Sequence, residues 1–242
     1  MISHGFFYRR LGRFFPCVLR ISSGFIRLKN KHEIASCQDV FCGPFYWQVF
    51  GHLGSAPPRT VVDAGANVGH FSILVNCCIE TRYGNAETTQ FYLIEPNTSA
   101  RKMLEKNMID AGMSRRSRVL AGALGKKSGL VKLFVNRRSF LTSRVVDNSD
   151  DKSKYSQVPL LDLNEIVKGP IDILKVDIEG SEYDFLTDNP EILCRTNLFL
   201  LELHQTDPSK REQMLNVVKD AGLKSVAPPL PLHGQELFIF QR

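Results

Sequence analysis

Two stretches of this chain hold residues whose types and spacing suit chemistry. The first is Asp177-Ile178-Glu179-Gly180-Ser181-Glu182-Tyr183-Asp184, four carboxylates within eight residues. Glu182 and Asp184 fall in the first turn of an expected helix, where the helix dipole favours negative charge, so a structural role accounts for them. Asp177 and Glu179 stand on a turn closed by Gly180. Crowded carboxylates raise one another's pKa, which makes one of them a usable proton acceptor. His204, in Glu202-Leu203-His204, is the other candidate base, because imidazole titrates near neutrality. Asp177, Glu202 and His204 also have the donor types of a mixed carboxylate and imidazole metal site. Spacing does not choose between a metal and a proton here, and no metal ligand is assigned.

The second stretch is the turn Asp63-Ala64-Gly65-Ala66-Asn67-Val68-Gly69. Glycine permits a tight turn and close approach of a ligand, and Asn67 tolerates the left-handed conformation. A turn that opens a helix is expected to leave N–H groups free as an anion site. A dinucleotide site would read G-x-G-x-x-G. That register reads Gly65-x-Asn67-x-x-His70 here, with two glycines missing. Asp63 would repel a phosphate but suits an ammonium. A ligand with a carboxylate, an ammonium and a sulfonium satisfies both features, and S-adenosylmethionine is that ligand. Glu95, in Leu93-Ile94-Glu95-Pro96, can accept both ribose hydroxyls.

These residues must be positioned by strand ends, and the pattern supplies them. From residue 60, apolar strand-like runs alternate with helical ones. Strands are expected at 60–62, 90–94, 117–121, 171–176 and 198–203, then at 223–227 and 237–240 around a proline-rich loop at 228–231. Helices are expected at 68–82, with Val68, Phe71, Val75 and Ile79 on one face, and at 98–111, 181–187 and 208–222. Gly112 closes one helix, and Asp207-Pro208 opens another. Alternation of this kind implies a mainly parallel sheet covered on both faces, with ligands beyond the carboxyl ends of its strands. Residues 131–135 read as an extra strand, and the polar stretch 136–155 as an insertion.

Composition narrows the class. With 43% hydrophobic and 23% charged residues, the chain of 242 is globular. The net charge of +6 belongs to residues 1–31, which hold Arg9, Arg10, Arg13, Arg20, Arg27, Lys29 and Lys31 and no acid. The near-neutral remainder argues against a nucleic-acid surface. The basic, Phe-rich arm is expected to be helical and to pack on the body, with a membrane surface or an organelle as alternatives. The six cysteines form no C-x-x-C pair, which points to a reducing, cytoplasmic compartment. No apolar run approaches the ~20 residues a bilayer needs.

The sequence resembles the FkbM family of S-adenosylmethionine-dependent methyltransferases. The matching stretches are Val61 to Phe71, Ile94-Glu95-Pro96-Asn97, Ala123-Leu124-Gly125, Val158 to Leu163, Leu174 to Glu182, and Leu201-Glu202-Leu203-His204, and Lys175-Val176-Asp177-Ile178-Glu179-Gly180-Ser181-Glu182 is the most specific. The resemblance implies a Rossmann-like, seven-stranded α/β methyltransferase fold with an antiparallel last strand. It implies methylation of a hydroxyl oxygen of a small molecule or carbohydrate. Asp63, Gly65, Ala66, Asn67 and Gly69 would face the methionine end of the cofactor, Glu95 and Pro96 the ribose, and Ala123 and Leu124 the adenine. Asp177, Glu179 and His204 would be catalytic. The expected division is an arm at 1–55 and a methyltransferase domain at 56–242, interrupted by a loop and strand insertion at about 126–158. A base-amine methyltransferase would carry an Asn/Asp-Pro-Pro-aromatic stretch where Asp177 to Gly180 stands, and a C5-pyrimidine enzyme would carry a cysteine there. A cofactor-binding module without catalysis, or a membrane-associated enzyme acting on a lipid or glycan, are the alternatives.

Overall fold

The computed structural model describes residues 17–28, 30–43, 45–126, 129–134, 144–146, 155–204, 206–232 and 235–242. Residues 1–16 of the basic arm and most of the expected insertion lie outside them. The described part of the arm does not start as the expected helix. It is a hairpin, β1 (Cys17–Ile21) and β2 (Gly24–Leu28), paired antiparallel. Helix α1 (Lys31–Cys37), a π-helical turn (Gln38–Cys42) and helix α2 (Gln48–His52) follow.

The body then runs through β3 (Thr60–Ala64), α3 (His70–Tyr83), β4 (Gln90–Ile94), α4 (Thr98–Asp110) and β5 (Ser117–Leu120). A small sheet interrupts it, made of β6 (Ala123–Leu124), β7 (Gly129–Phe134), β8 (Arg144–Val146) and β9 (Tyr155–Leu161). Next come α5 (Leu163–Ile166), β10 (Ile171–Val176), α6 (Glu182–Asp188), α7 (Pro190–Cys194), β11 (Thr196–Leu203) and α8 (Pro208–Asp220). β12 (Lys224–Ser225), β13 (Leu230–Leu232) and β14 (Gln235–Gln241) close the chain. Asp207 caps α8 by accepting from Ser209 N at 2.9 Å, as its sequence position implies. β13 occupies part of the expected proline-rich loop, because Leu230 to Leu232 pair with β14.

The large sheet has the order β12-β14-β11-β10-β3-β4-β5, with β13 beside β14. β11-β10-β3-β4-β5 are parallel, and β14 runs antiparallel to β11. This is the mixed α/β, Rossmann-like sheet expected from the sequence, with its antiparallel last strand. The order reverses between β10 and β3, and the glycine turn and the acid turn both leave the sheet there.

Strand periodicity divides the interior. Val61, Leu198 and Leu200 belong to one apolar cluster, while Val62, Phe199 and Leu201 belong to the other, because successive side chains point to opposite faces. The first cluster also takes in Ile26, Leu28, Ile34, Val40, Tyr46 and Val49. The N-terminal segment is therefore part of the core. It covers the side of α3 away from the sheet, so that helix is buried nearly all round rather than on the one face its periodicity shows. Gly24 lets the hairpin reach the end of α4, where a Cβ would stand 2.2 Å from the Asp110 carbonyl oxygen.

Gly69 has a packing role of the same kind. Its φ is +88°, and a Cβ there would meet Leu104 and Met108 of α4 at 2.5 and 2.7 Å. Gly69→Ala should lower stability by roughly 1–2 kcal/mol through the left-handed backbone, with a further contribution from the shift that Leu104 and Met108 must make. Gly54→Ala, at a position with nothing within 4 Å, is the control. Thermal denaturation of the two variants checks the difference, and equal melting temperatures would remove the packing role.

Candidate active site

The register of β10 against β3 sets Lys175 opposite Asp63. Lys175 is only 4% exposed, with its Nζ 2.8 Å from Asp177 Oδ2 and 3.8 Å from Asp63 Oδ1. Burial works against its charge, but Asp177, Asp63 and Glu202 outweigh burial and raise its pKa. It stays an ammonium. Asp63 has no exposed surface. Its Oδ2 accepts from Ser72 Oγ at 2.7 Å, while Oδ1 has no hydrogen-bond partner among the described residues. Burial raises the Asp63 pKa against the pull of Lys175. The ammonium that this carboxylate suits is thus the protein's own.

The glycine turn packs on the acid turn. Gly65 has φ +79°, and a Cβ there would stand 1.7 Å from the Asp177 carbonyl oxygen. Gly65 N and Ala66 N both donate to Ile94 O at 3.0 Å, and Gly69 N donates to Ala66 O at 2.8 Å. Asn67, at φ +50°, donates its N–H to Glu95 Oε2 at 2.8 Å. These four donors are therefore engaged within the protein. The parallel neighbour β4 ends beside the turn and supplies the acceptors. Glu95 Oε1 takes Asn97 N at 2.7 Å as well. Burial drives the Glu95 carboxyl up to about 7, although both N–H bonds oppose the rise.

Gly65, Asn67, Glu95, Pro96, Ala123 and Leu124 come together around one cleft, along with Asp177 and Glu179. Ala66 faces a second cavity instead, while Asp63 and Gly69 line neither. Ile94, Gly122, Leu133, Ile178 and Ser181 complete the cleft wall. Leu133 comes from β7 in the small sheet, and nothing in its local sequence marks it. The lining holds three carboxylates and no Lys, Arg or His. Such a wall favours a ligand carrying positive charge, with an apolar strip from Ile94, Leu124, Leu133 and Ile178 for a flat, apolar part. A sulfonium and an ammonium attached to an adenine nucleoside fit those features.

The acid turn is clamped from behind. Glu182 Oε1 accepts from Ile178 N and Gly180 N, each at 3.1 Å, and pairs with His204 Nδ1 at 2.9 Å. His204 Nε2 lies 3.3 Å from Glu179 Oε2 and 3.8 Å from Asp177 Oδ1. Burial alone would lower the His204 pKa, but hydrogen bonds with Glu179 and Glu182 and the charges of Glu182 and Asp177 raise it to about 11. Its Nδ1 contact with Glu182 and the carboxylates of Glu179 and Asp177 near Nε2 favour the imidazolium form, which suits a clamp on the turn. The like-charge effect expected of the turn is found on Glu202. Burial and the charge of Asp177 raise its carboxyl to about 7 against Lys175, Tyr46 and His204. One ligand atom each of Asp177, Glu179 and His204 lies within 4.8 Å of the others. A cation entering there would first have to displace the proton on His204.

The second cavity lies across the same wall. Gly65, Asn67, Asp177 and Glu179 line it too, joined by Lys175, His70 and Glu202. Ser36, Asp39, Val40 and Tyr46 of the N-terminal segment form its other side. Tyr46 donates its hydroxyl to Glu202 Oε2 at 2.7 Å. Lys175, Tyr46 and His70 escaped the sequence reading of the site. A lysine inside the apolar run Ile171 to Val176 is the one signal that could have exposed the network.

A model of the FkbM methyltransferase domain matches residues 63–224. The crystal structure of the methyltransferase FkbM from Methylobacillus flagellatus KT is similar at 15% identity and a TM-score of 0.54, over 84% of this chain and 47% of that one. The chain thus spans about half the length of that relative, and the likeness concerns the fold. A precorrin-6y C5,15-methyltransferase from Geobacter metallireducens GS-15 aligns at 8% identity and a TM-score of 0.48, over 81% of this chain and 88% of that one. No curated protein matches the chain.

The folded state favours protonated Glu202, because its carboxyl rises from an ordinary 4.5 to about 7. That contribution to stability is present in full below pH 4.5 and is lost as pH rises through 7. Glu202→Gln keeps an acceptor for Tyr46 and removes the loss. Its melting temperature should match that of the parent near pH 5 and exceed it at pH 8. Melting curves at both pH values provide the check, and a gain independent of pH would contradict the assignment.

Proposed function

The chain belongs to the FkbM methyltransferase family, and we propose that it transfers the methyl group of S-adenosylmethionine to a hydroxyl oxygen of a small molecule or carbohydrate. The observation that carries this reading is the position of Asp177 and Glu179, which line the same cleft as Gly65, Asn67 and Glu95. Proton-accepting groups therefore stand beside the groups that would bind the cofactor.

When bound, S-adenosylmethionine supplies an electrophilic methyl carbon. Glu95 would hold the ribose, Pro96, Ala123 and Leu124 would cover the adenine, and Gly65 with Asn67 would border the methionine end. Asp63 acts from behind the turn, through Lys175. An alcohol is a weak nucleophile, so its proton must leave as its oxygen attacks. Asp177 is the acceptor for that proton. Its Oδ2 is committed to Lys175, while Oδ1 stands 3.8 Å from His204 Nε2, beyond hydrogen-bond range, and keeps accepting capacity. Glu179 orients the acceptor hydroxyl, and cationic His204 fixes both carboxylates. In-line positioning of the two reacting atoms is the larger contribution.

Two measurements test this reading. Calorimetry should show S-adenosylhomocysteine binding and no binding of NAD. A screen of hydroxylated acceptors with labelled cofactor should then yield a product methylated on oxygen. With any acceptor so found, Asp177→Asn should lower kcat by roughly 100-fold or more while leaving S-adenosylhomocysteine affinity in place. An unchanged kcat would remove Asp177 from the chemistry, and a product methylated elsewhere would reject oxygen transfer.

A further inference from the structure

The second cavity shares only part of its lining with the cofactor cleft and is built from constrained parts. Ser36 Oγ meets His70 Nδ1 at 3.0 Å, and Tyr46 holds Glu202 at 2.7 Å. These two contacts fasten the N-terminal segment to α3 and to β11. We propose that this cavity is the acceptor site, that Ser36, Asp39, Val40 and Tyr46 form its outer wall, and that it selects uncharged acceptors rich in hydroxyl groups over anionic ones. The proposal rests on the assignment of the cofactor to the neighbouring cleft.

Three observations support it. First, the two cavities share Gly65, Asn67, Asp177 and Glu179. A methyl group on one side and an oxygen on the other would meet across that wall, which is the geometry of direct transfer. Second, two residues of the cavity lining each keep a buried polar atom without a partner. Among the described residues, His70 Nε2 and Asn67 Oδ1 are buried without a hydrogen-bond partner. Buried polar atoms are normally paired, and each exception calls for an explanation. His70 is 2% exposed, and burial lowers its pKa to about 4, so the ring is neutral. With Nδ1 engaged by Ser36, Nε2 donates or accepts according to tautomer. A hydroxyl group answers either state of the ring. Third, the carboxylates of Asp39, Asp177 and Glu179 line the cavity, beside a Glu202 whose proton the fold favours. Its Lys175 is already held by Asp177 and Asp63. A carboxylate or phosphate on the acceptor would face like charge across poorly solvated space.

In the transfer itself, the oxygen lone pair forms the new C–O bond and the electron pair of the broken S–C bond stays on sulfur. The hydroxyl proton passes to Asp177.

The test is binding, so it needs no knowledge of the natural acceptor. S-adenosylhomocysteine is extended from its sulfur by a short polyhydroxylated chain, and a second probe carries a carboxylated chain of equal length. Both probes are sulfoniums, so S-adenosylmethionine is the reference: calorimetry should show the hydroxylated probe binding at least tenfold more tightly than S-adenosylmethionine, and the carboxylated probe binding no more tightly. His70→Gln and Tyr46→Phe should each lose most of that gain while keeping the parent affinity for S-adenosylhomocysteine. Tyr46→Phe keeps the ring and serves if His70→Gln does not fold. Absence of the gain, a gain retained in the variants, or equal gain for the carboxylated probe would overturn the proposal. Loss of S-adenosylhomocysteine binding by the parent would reject the cofactor assignment instead, and the site of methylation in the labelled screen judges oxygen transfer separately.

Discussion

Lys175 places a full positive charge inside the sheet, at 4% exposure. An ammonium is tolerated there only when it is paired at close range and hydrogen-bonded. Asp63 on the adjacent parallel strand and Asp177 two residues further along its own strand supply the pairing. The Asp63 contact requires β3 and β10 to be neighbours in this register. A one-residue slip would turn Lys175 to the opposite face and leave Asp63 without its cation. The cation is thus a constraint on topology as much as a member of the site.

The two functional turns follow from that pairing. With Asp177 drawn to Lys175, the Asp177 carbonyl oxygen presses so close to residue 65 that a Cβ there would stand 1.7 Å away. Glycine is required by the protein's own backbone before any ligand arrives. Beyond Asp177, Glu182 folds back to accept the N–H groups of Ile178 and Gly180. His204 then joins Glu182 to Glu179 across the mouth of the turn. The carboxylates are thereby held in place by cations behind and beside them and are ready before an acceptor binds.

The elements of the body were legible in the sequence because apolar periodicity and capping residues report burial directly. Asp207-Pro208 opened α8, Gly112 closed α4, and LFLLEL became β11. The N-terminal hairpin was not legible, because its burial depends on a distant helix end. Strand β9 was hidden in the same way: Pro159 argues against a strand locally, yet β6 and β7 pair with it on both sides. In the site, residue types were legible and their partners were not. Asp63 was read as facing a ligand's ammonium, and Gly69 as facing the ligand, whereas Lys175 and helix α4 are what they meet. His204 had the right type for a base, but three carboxylates around it hold its proton. The proton occupancy of a buried histidine is set by neighbours remote in sequence.

The same distinction separates this turn from a phosphate cradle that it resembles on paper. A phosphate site offers open backbone donors at a helix N-terminus. Here Ile94 and Glu95 accept from Gly65, Ala66 and Asn67, so those donors face strand β4 and its end instead of the cleft. What remains on the cleft surface is a shape, set by Gly65 and Asn67, and a charge, set by Glu95, Asp177 and Glu179. Such a surface suits a compact cation better than a pyrophosphate. A sulfonium is such a cation, and its charge disappears when its methyl group departs. Carboxylates that attract it would hold the spent thioether less strongly, so the electrostatics that bind the donor also favour release of the product.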